Sequence, residues 1–183
     1  MRIIAGRLKG LRLPSPRNRG IRPTTDRVRE ALFSALGTAV SGSRVLDLFA
    51  GTGAFGFEAL SRGADAAVFV DKDRLSARIL SETAEAFRVQ DRVAILNLTA
   101  SQAIAKLAGQ GQKFGIAFLD PPYETDWIQK TVSDPNFLDL LEPEAFLILE
   151  RSVLFQDPEI PERFQKAFGR KYGDTIVEIF HPA

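Results

Sequence analysis

Ten residues constrain this chain more than any others. The stretch Asp47-Leu48-Phe49-Ala50-Gly51-Thr52-Gly53-Ala54-Phe55-Gly56 ends one apolar run and opens a helical pattern. Glycines at 51, 53 and 56 have the G-x-G-x-x-G spacing, which lets the backbone turn tightly, approach a ligand and enter a helix closely. Twenty residues past Gly51, Asp71 closes the next apolar run, where a carboxylate can take both hydroxyls of a ribose. A glycine loop in that setting predicts an α/β fold that holds a nucleoside-containing ligand.

Asp47 narrows the ligand. A carboxylate beside the strand tip repels a pyrophosphate and suits an ammonium or sulfonium. It tilts the choice from a nicotinamide dinucleotide towards S-adenosylmethionine. The competing structural reading is an acid that simply bonds loop amides.

The rest of the chain alternates in the same way. Val45–Phe49, Ala66–Val70, Val93–Leu96 and Phe114–Leu119 read as buried strands, with helical patterns over 54–62, 73–88 and 100–108. Such alternation implies a parallel sheet covered by helices on both faces. Ala145–Leu149 adds a fifth strand, and 164–168 with 175–180 predict a closing antiparallel pair. Upstream, Pro23-Thr24-Thr25-Asp26 reads as a helix start. Val28, Ala31, Leu32, Ala35 and Leu36 make the buried face of that helix, and Gly37 stops it. Arg27, Arg29 and Glu30 fall on the opposite, solvated face. At 183 residues this is one α/β domain over 24–183, with an extension over 1–23.

Several chemistries are excluded by what the chain lacks. It has no cysteine, so disulfides, zinc-thiolate sites, iron–sulfur clusters and thiol nucleophiles are ruled out. Its one histidine, His181, two residues from the end, argues against a multi-histidine metal site or a serine–histidine triad, and no metal is expected. The longest charge-free stretches, 31–43 and 93–105, are too short to cross a bilayer as helices, so no membrane is expected. Carboxylates, backbone groups, hydroxyls and a cofactor are left.

Charge is distributed unevenly. Residues 1–30 hold nine bases and two acids, while the remainder holds 15 bases and 21 acids. Arg2, Arg7, Lys9, Arg12, Arg22 and Arg27 are candidates for contact with a polyanion, nucleic acid above all. A solvated basic tail and a transit peptide are the alternatives. Gly6, Gly10, Pro14 and Pro16 would break a transit helix, whereas Ile3, Ile4, Leu8, Leu11 and Leu13 can pack and Lys9-Gly10 can turn a hairpin.

The fourth strand ends Asp120-Pro121-Pro122-Tyr123. Ligands of open α/β sheets lie beyond the carboxyl ends of the strands, so this loop should face the glycine loop. Two prolines remove N–H donors and leave carbonyl acceptors. Acceptors beside an aromatic ring suit a planar group bearing an NH2. Trp127 either rims that cleft or packs, and Phe55 and Phe57 read as helix packing.

Asp120-Pro121-Pro122-Tyr123 resembles the (D/N)PP(Y/F) motif of S-adenosylmethionine-dependent amino methyltransferases. Arg2-Ile3-Ile4-Ala5-Gly6, the run Arg22–Glu30 and Leu46–Gly53 are similar to the RsmD family of bacterial 16S rRNA guanine-N2 methyltransferases. The resemblance runs from residue 1 to about Tyr123. It implies a class I, Rossmann-like methyltransferase: a mostly parallel seven-stranded sheet with helices on both faces and a basic N-terminal hairpin and helix. It implies that Asp47, Gly51 and Gly53 meet the methionine end of the cofactor and Asp71 the ribose. Asp120 and the Pro121 carbonyl would bind the target amine, and Tyr123 would stack on the base. The acid expected to accept the adenine amine is missing, which leaves Thr99 or Asn97. The partner would be ribosomal RNA or the small ribosomal subunit, met by a cytoplasmic monomer. The alternatives are an amino methyltransferase of DNA adenine, DNA cytosine or protein glutamine, a nicotinamide-dependent oxidoreductase, and a non-catalytic RNA-binding assembly factor.

Overall fold

The structure, a computed structural model, describes residues 1–14, 26–122 and 126–183. Seven strands form one sheet in the order β3-β2-β1-β4-β5-β7-β6. They are β1 (Arg44–Asp47), β2 (Ala66–Val70), β3 (Val93–Leu96), β4 (Phe114–Leu119), β5 (Leu141–Ser152), β6 (Phe164–Tyr172) and β7 (Thr175–Pro182). The first five run parallel, and β7 lies antiparallel between β5 and β6. The order reverses between β1 and β4, which opens the crevice where such sheets bind ligands.

Strand residues alternate between two cores. Val45, Ile116, Phe118 and Ile148 face α1 (Asp26–Leu36), α2 (Ala54–Ser61) and α3 (Arg74–Ala86). Leu46, Ala117, Leu119 and Leu147 face α4 (Ala100–Gly109), α5 (Trp127–Val132) and α6 (Pro135–Asp139). Burial on both sides is why the strands read as continuous apolar runs. The two short helices α5 and α6 between β4 and β5 are absent from the sequence reading, and β5 is longer than 145–149 at both ends. The antiparallel tail pair agrees with expectation, although no hydrophobic pattern announces that β7 inserts next to β5. The capping proposed at Thr24 or Thr25 lies outside the described residues, as do the 23/24 boundary and Arg22.

The basic N-terminus is built into the domain. Residues 1–14 form a hairpin through Ile3 N–H to the Leu11 carbonyl (2.9 Å) and Gly10 N–H to the Ile3 carbonyl (2.9 Å). Ile3 and Leu13 join the core beneath α1 and α2. The hairpin docks on Glu58 of α2, which is fully buried. That carboxylate accepts from the Ile4 amide (2.8 Å), the Ala5 amide (3.1 Å) and Arg62 Nε (2.8 Å). Gly6 (φ +82°) passes so close to Ser61 that a Cβ would sit 1.9 Å from its carbonyl oxygen.

Arg29 corrects the sequence reading. It is 1% exposed, not solvated. Its Nη2 donates to the Arg2 carbonyl (2.5 Å) and Asp26 (3.1 Å), and its Nε lies 3.6 Å from Glu58. A buried arginine survives because the hairpin's backbone and α2's carboxylate surround it. Helical spacing alone could not reveal that second covering layer.

Candidate active site

The glycine loop is held from three sides. Leu48 N–H donates to the Phe118 carbonyl of β4 (3.0 Å) and Ala50 N–H to the Val70 carbonyl of β2 (2.9 Å). Asp71, just past β2, accepts from Gly51 N–H (2.8 Å) and Asp73 N–H (2.9 Å). Gly53 has φ +74°, and a Cβ there would meet Leu80 at 2.5 Å and Phe57 at 2.8 Å, so the backbone must be bare. Gly51 has open space where its side chain would be, the side from which a ligand can approach.

Asp47 ends β1 beneath this loop and is 1% exposed. Its Oδ2 accepts from the Gly56 amide (3.1 Å), while Oδ1 is buried without a hydrogen-bond partner. The structural reading of Asp47 therefore accounts for one oxygen and leaves the other open. Burial raises its pKa to about 7; the Gly56 bond opposes the rise and the nearby Asp71 charge adds to it.

Asp120 follows β4, one strand over. The register Asp47↔Phe118 between β1 and β4 brings the two loops to the same end of the sheet. Asp120 is half-buried, and its pKa is raised well above the usual carboxylate range. Desolvation is the largest cause, followed by the charges of Glu150 and Asp47. Pro121 is buried and Pro122 exposed; Tyr123 lies outside the described residues. Phe55 stacks on Phe118 (4.2 Å, 7° between planes) and Phe33 (4.8 Å), and Phe57 packs on Phe69 and Phe87. Both are packing residues, as their helical spacing suggests. Trp127 leans on Phe49 of the glycine loop (6.4 Å, 54°).

Thr99 and Asn97 stand at the end of β3. Thr99 caps α4 in a capping box with Gln102, its hydroxyl donating to Gln102 Oε1 (2.9 Å) and accepting from the Gln102 amide (3.4 Å). Asn97 Nδ2 donates to the Asp71 carbonyl (2.9 Å). The Thr99-x-x-Gln102 spacing was a legible cap signal. Glu150, 2% exposed and two residues before the end of β5, acts on Asp120 through its charge and is absent from the sequence reading. Its signal was there too: like β1 and β4, β5 carries an acid where its apolar run ends.

Arg2, Arg7, Lys9, Arg12 and Arg27 are exposed on the hairpin and α1. Arg2, Lys9 and Arg27 border a cleft of about 290 Å³ between those two elements, with Asp26 and Glu30 also lining it. Among the described residues no group of three or more His, Asp or Glu side chains could hold a metal ion.

The family model described as conserved hypothetical protein 95 matches residues 1–181. The chain is 36% identical over 180 residues to ribosomal RNA small subunit methyltransferase D of Escherichia coli, covering 98% of this chain and 89% of that protein. The protein of the same name from Haemophilus influenzae is 35% identical over 150 residues, 82% of this chain and 78% of that one. The solved structure of the Escherichia coli yhhF protein superposes with a TM-score of 0.85 at 32% identity, covering 100% of this chain and 97% of that one.

Proposed function

Since the chain belongs to the RsmD family, described as conserved hypothetical protein 95, we propose that it methylates the exocyclic N2 amine of a guanine in small-subunit ribosomal RNA. At the level of the family it is an S-adenosylmethionine-dependent rRNA methyltransferase. The observation that carries the finer reading is the open, buried oxygen of Asp47, one strand from the acceptors of Asp120-Pro121.

The residues fit the donor. Asp47 Oδ1 suits a positive centre and the space beside Gly51 admits a chain close to the backbone, while Asp71, just past β2, would take the ribose hydroxyls. Asn97 is better placed than Thr99 for the adenine amine. The Thr99 hydroxyl is engaged by its helix cap, whereas Asn97 is anchored through its nitrogen and keeps its carbonyl oxygen as an acceptor. When bound, S-adenosylmethionine supplies a methyl group activated by its sulfonium charge.

Asp120 and the Pro121 carbonyl accept hydrogen bonds from the amine and so turn the nitrogen lone pair towards the glycine loop. Orientation of this kind can supply ~7–11 kcal/mol of the barrier. A carboxylate beside the nitrogen also stabilises the positive charge that develops there. Taking a base out of its stack costs a few kcal/mol. A ring at Tyr123 stacking on the flipped base would offset about 1–3 of that. Arg2, Arg7, Lys9, Arg12 and Arg27 neutralise phosphates and set register without reading sequence, and Arg22 belongs with them by its position in the chain. The enzyme acts as a cytoplasmic monomer on ribosomal RNA or the small subunit. Among the described residues no helix is long and apolar enough to cross a membrane.

A nicotinamide oxidoreductase fits less well, because β7 occupies, antiparallel, the position next to β5 that a parallel sixth strand takes in the dinucleotide fold. The deciding experiment supplies labelled S-adenosylmethionine with naked small-subunit rRNA or with assembled subunits, and maps the product by mass. Label on a guanine N2 is expected. Label on another atom, or on neither substrate, overturns the assignment.

The raised pKa of Asp47 makes a separate prediction. A cation bound beside Asp47 favours its ionised form, so binding below pH 7 must expel a proton. Affinity for S-adenosylmethionine is expected to fall by up to about tenfold per pH unit below 7. S-adenosylhomocysteine, whose sulfur is uncharged, should show a much flatter dependence. Calorimetry with both ligands at pH 5.5 and 8 checks this, and equal pH slopes would show that Asp47 does not face the sulfur.

A further inference from the structure

Three adjacent strands carry an acid at or near their carboxyl ends, all on one face: Asp47 closes β1, Asp120 follows β4 and Glu150 lies two residues before the end of β5. Leu119 of β4 pairs with Leu149 of β5, so Asp120 and Glu150 stand abreast on strands roughly 4.8 Å apart. Each lies two residues beyond a side chain of the α1–α3 core, Phe118 and Ile148, so both point to that face. On its other side Glu150 is flanked in the sheet by Val177 of β7, an apolar neighbour. Arg151, the next residue, turns to the opposite face and pairs with Glu178 (3.0 Å).

We propose that Glu150 is a positioning residue for Asp120: its carboxylate, abreast on the next strand, keeps Asp120 basic enough to take the proton of the methylated amine. The inference rests on the reading that Asp120 grips the amine. The chemical step balances. The N–C bond forms as the S–C bond breaks, the sulfur leaves as a neutral thioether, and the surplus proton on nitrogen passes to an Asp120 oxygen and then to water. Without a basic partner, the nitrogen would carry its proton until water took it.

Among the described residues, the charges nearest Asp120 are acidic. Glu150 faces it from β5 and Asp47 from β1, with Asp71 behind Asp47 at the β2 tip. The first turn of α2, Ala54–Phe57, brings no charge, and Glu58 beyond it is engaged by the hairpin. Near α5, Asp126 and Lys130 are exposed and paired with each other (2.9 Å). Glu124 lies outside the described residues. Burial and then the charge of Glu150 are the two largest causes that raise the Asp120 pKa. Two like carboxyl groups this close titrate as a pair.

The test titrates the aspartate carboxyl carbons by 13C NMR in ligand-free protein, with Asp120 assigned by its Asn variant. In Glu150→Gln the Asp120 midpoint is expected to fall by about one pH unit, since an isosteric neutral group has replaced the like charge. The acid limb of kcat/KM for RNA should move down by the same amount. Glu150→Asp, which withdraws the charge by one methylene, should give a smaller fall and carries the test if the Gln variant does not fold. An unmoved Asp120 midpoint in a folded variant overturns the proposal. So does a moved midpoint with an unmoved acid limb. Failure of the underlying reading looks different: the midpoint moves, yet Asp120→Ala still methylates.

Discussion

Asp120→Ala is expected to lose methyl transfer by about 10²–10³-fold in kcat, the scale seen when one preorganised group facing developing charge is removed. It should do so while binding S-adenosylhomocysteine as before, because the glycine loop hangs on Asp47, Asp71 and the β2 and β4 carbonyls. The variant should also gain stability in alkaline solution. A carboxyl whose pKa is raised in the folded protein holds its proton more tightly there than in the unfolded chain. Folding then loses free energy as pH rises from the unfolded value through the folded one. Alanine removes that loss above the window, so its Tm relative to the parent should rise between pH 5 and pH 8. Asn should fall between, since it keeps one acceptor oxygen and no base. Lost activity together with lost stability at pH 8 would make Asp120 a structural residue.

The second large effect lies away from the chemistry. Glu58→Ala is expected to destabilise the fold by about 3–5 kcal/mol, the loss typical of breaking one side of a buried ion pair, out of a total near 5–15. It strands the Ile4 and Ala5 amides and leaves Arg29 buried with Asp26 and the Arg2 carbonyl. Urea unfolding gives the free energy, and hydrogen exchange at Ile4 and Ala5 gives the locus. A loss under about 1 kcal/mol with both amides still protected would show that other contacts hold the hairpin. By the same geometry, deleting residues 1–14 uncovers Ile3, Leu13 and a buried carboxylate. It would perturb the whole domain, so the basic side chains are better studied by exposed charge changes at Arg7, Lys9 or Arg12.

Much of the candidate site was visible in one dimension because its acids stand at or just past strand tips. Asp47 and Asp120 each close an apolar run, and the glycine spacing announces the turn between strand and helix. Glu150 follows the same rule at β5 and went unread because no motif surrounds it. Thr99 shows the converse. Its position suggested a ligand contact, and its hydroxyl turned out to serve a helix cap that the spacing to Gln102 also spells. Arg29 and Glu58 were misread or passed over because a helix pattern marks which face is apolar, not what later covers the other face.

Taken alone, the sequence determined the strand–helix alternation, the glycine turn and the acids at the strand ends. Those follow from local sterics and from two-residue and 3.6-residue periodicities, which act between near neighbours. Tertiary structure alone decided that β7 enters between β5 and β6, that the basic N-terminus is clamped on Glu58, and that carboxylates about 30 to 100 residues apart in the chain meet on one sheet face. A carboxyl's charge state depends on the water and charges around it in space. For Asp47, Asp120 and Glu150 those surroundings exist once β1, β4 and β5 lie side by side.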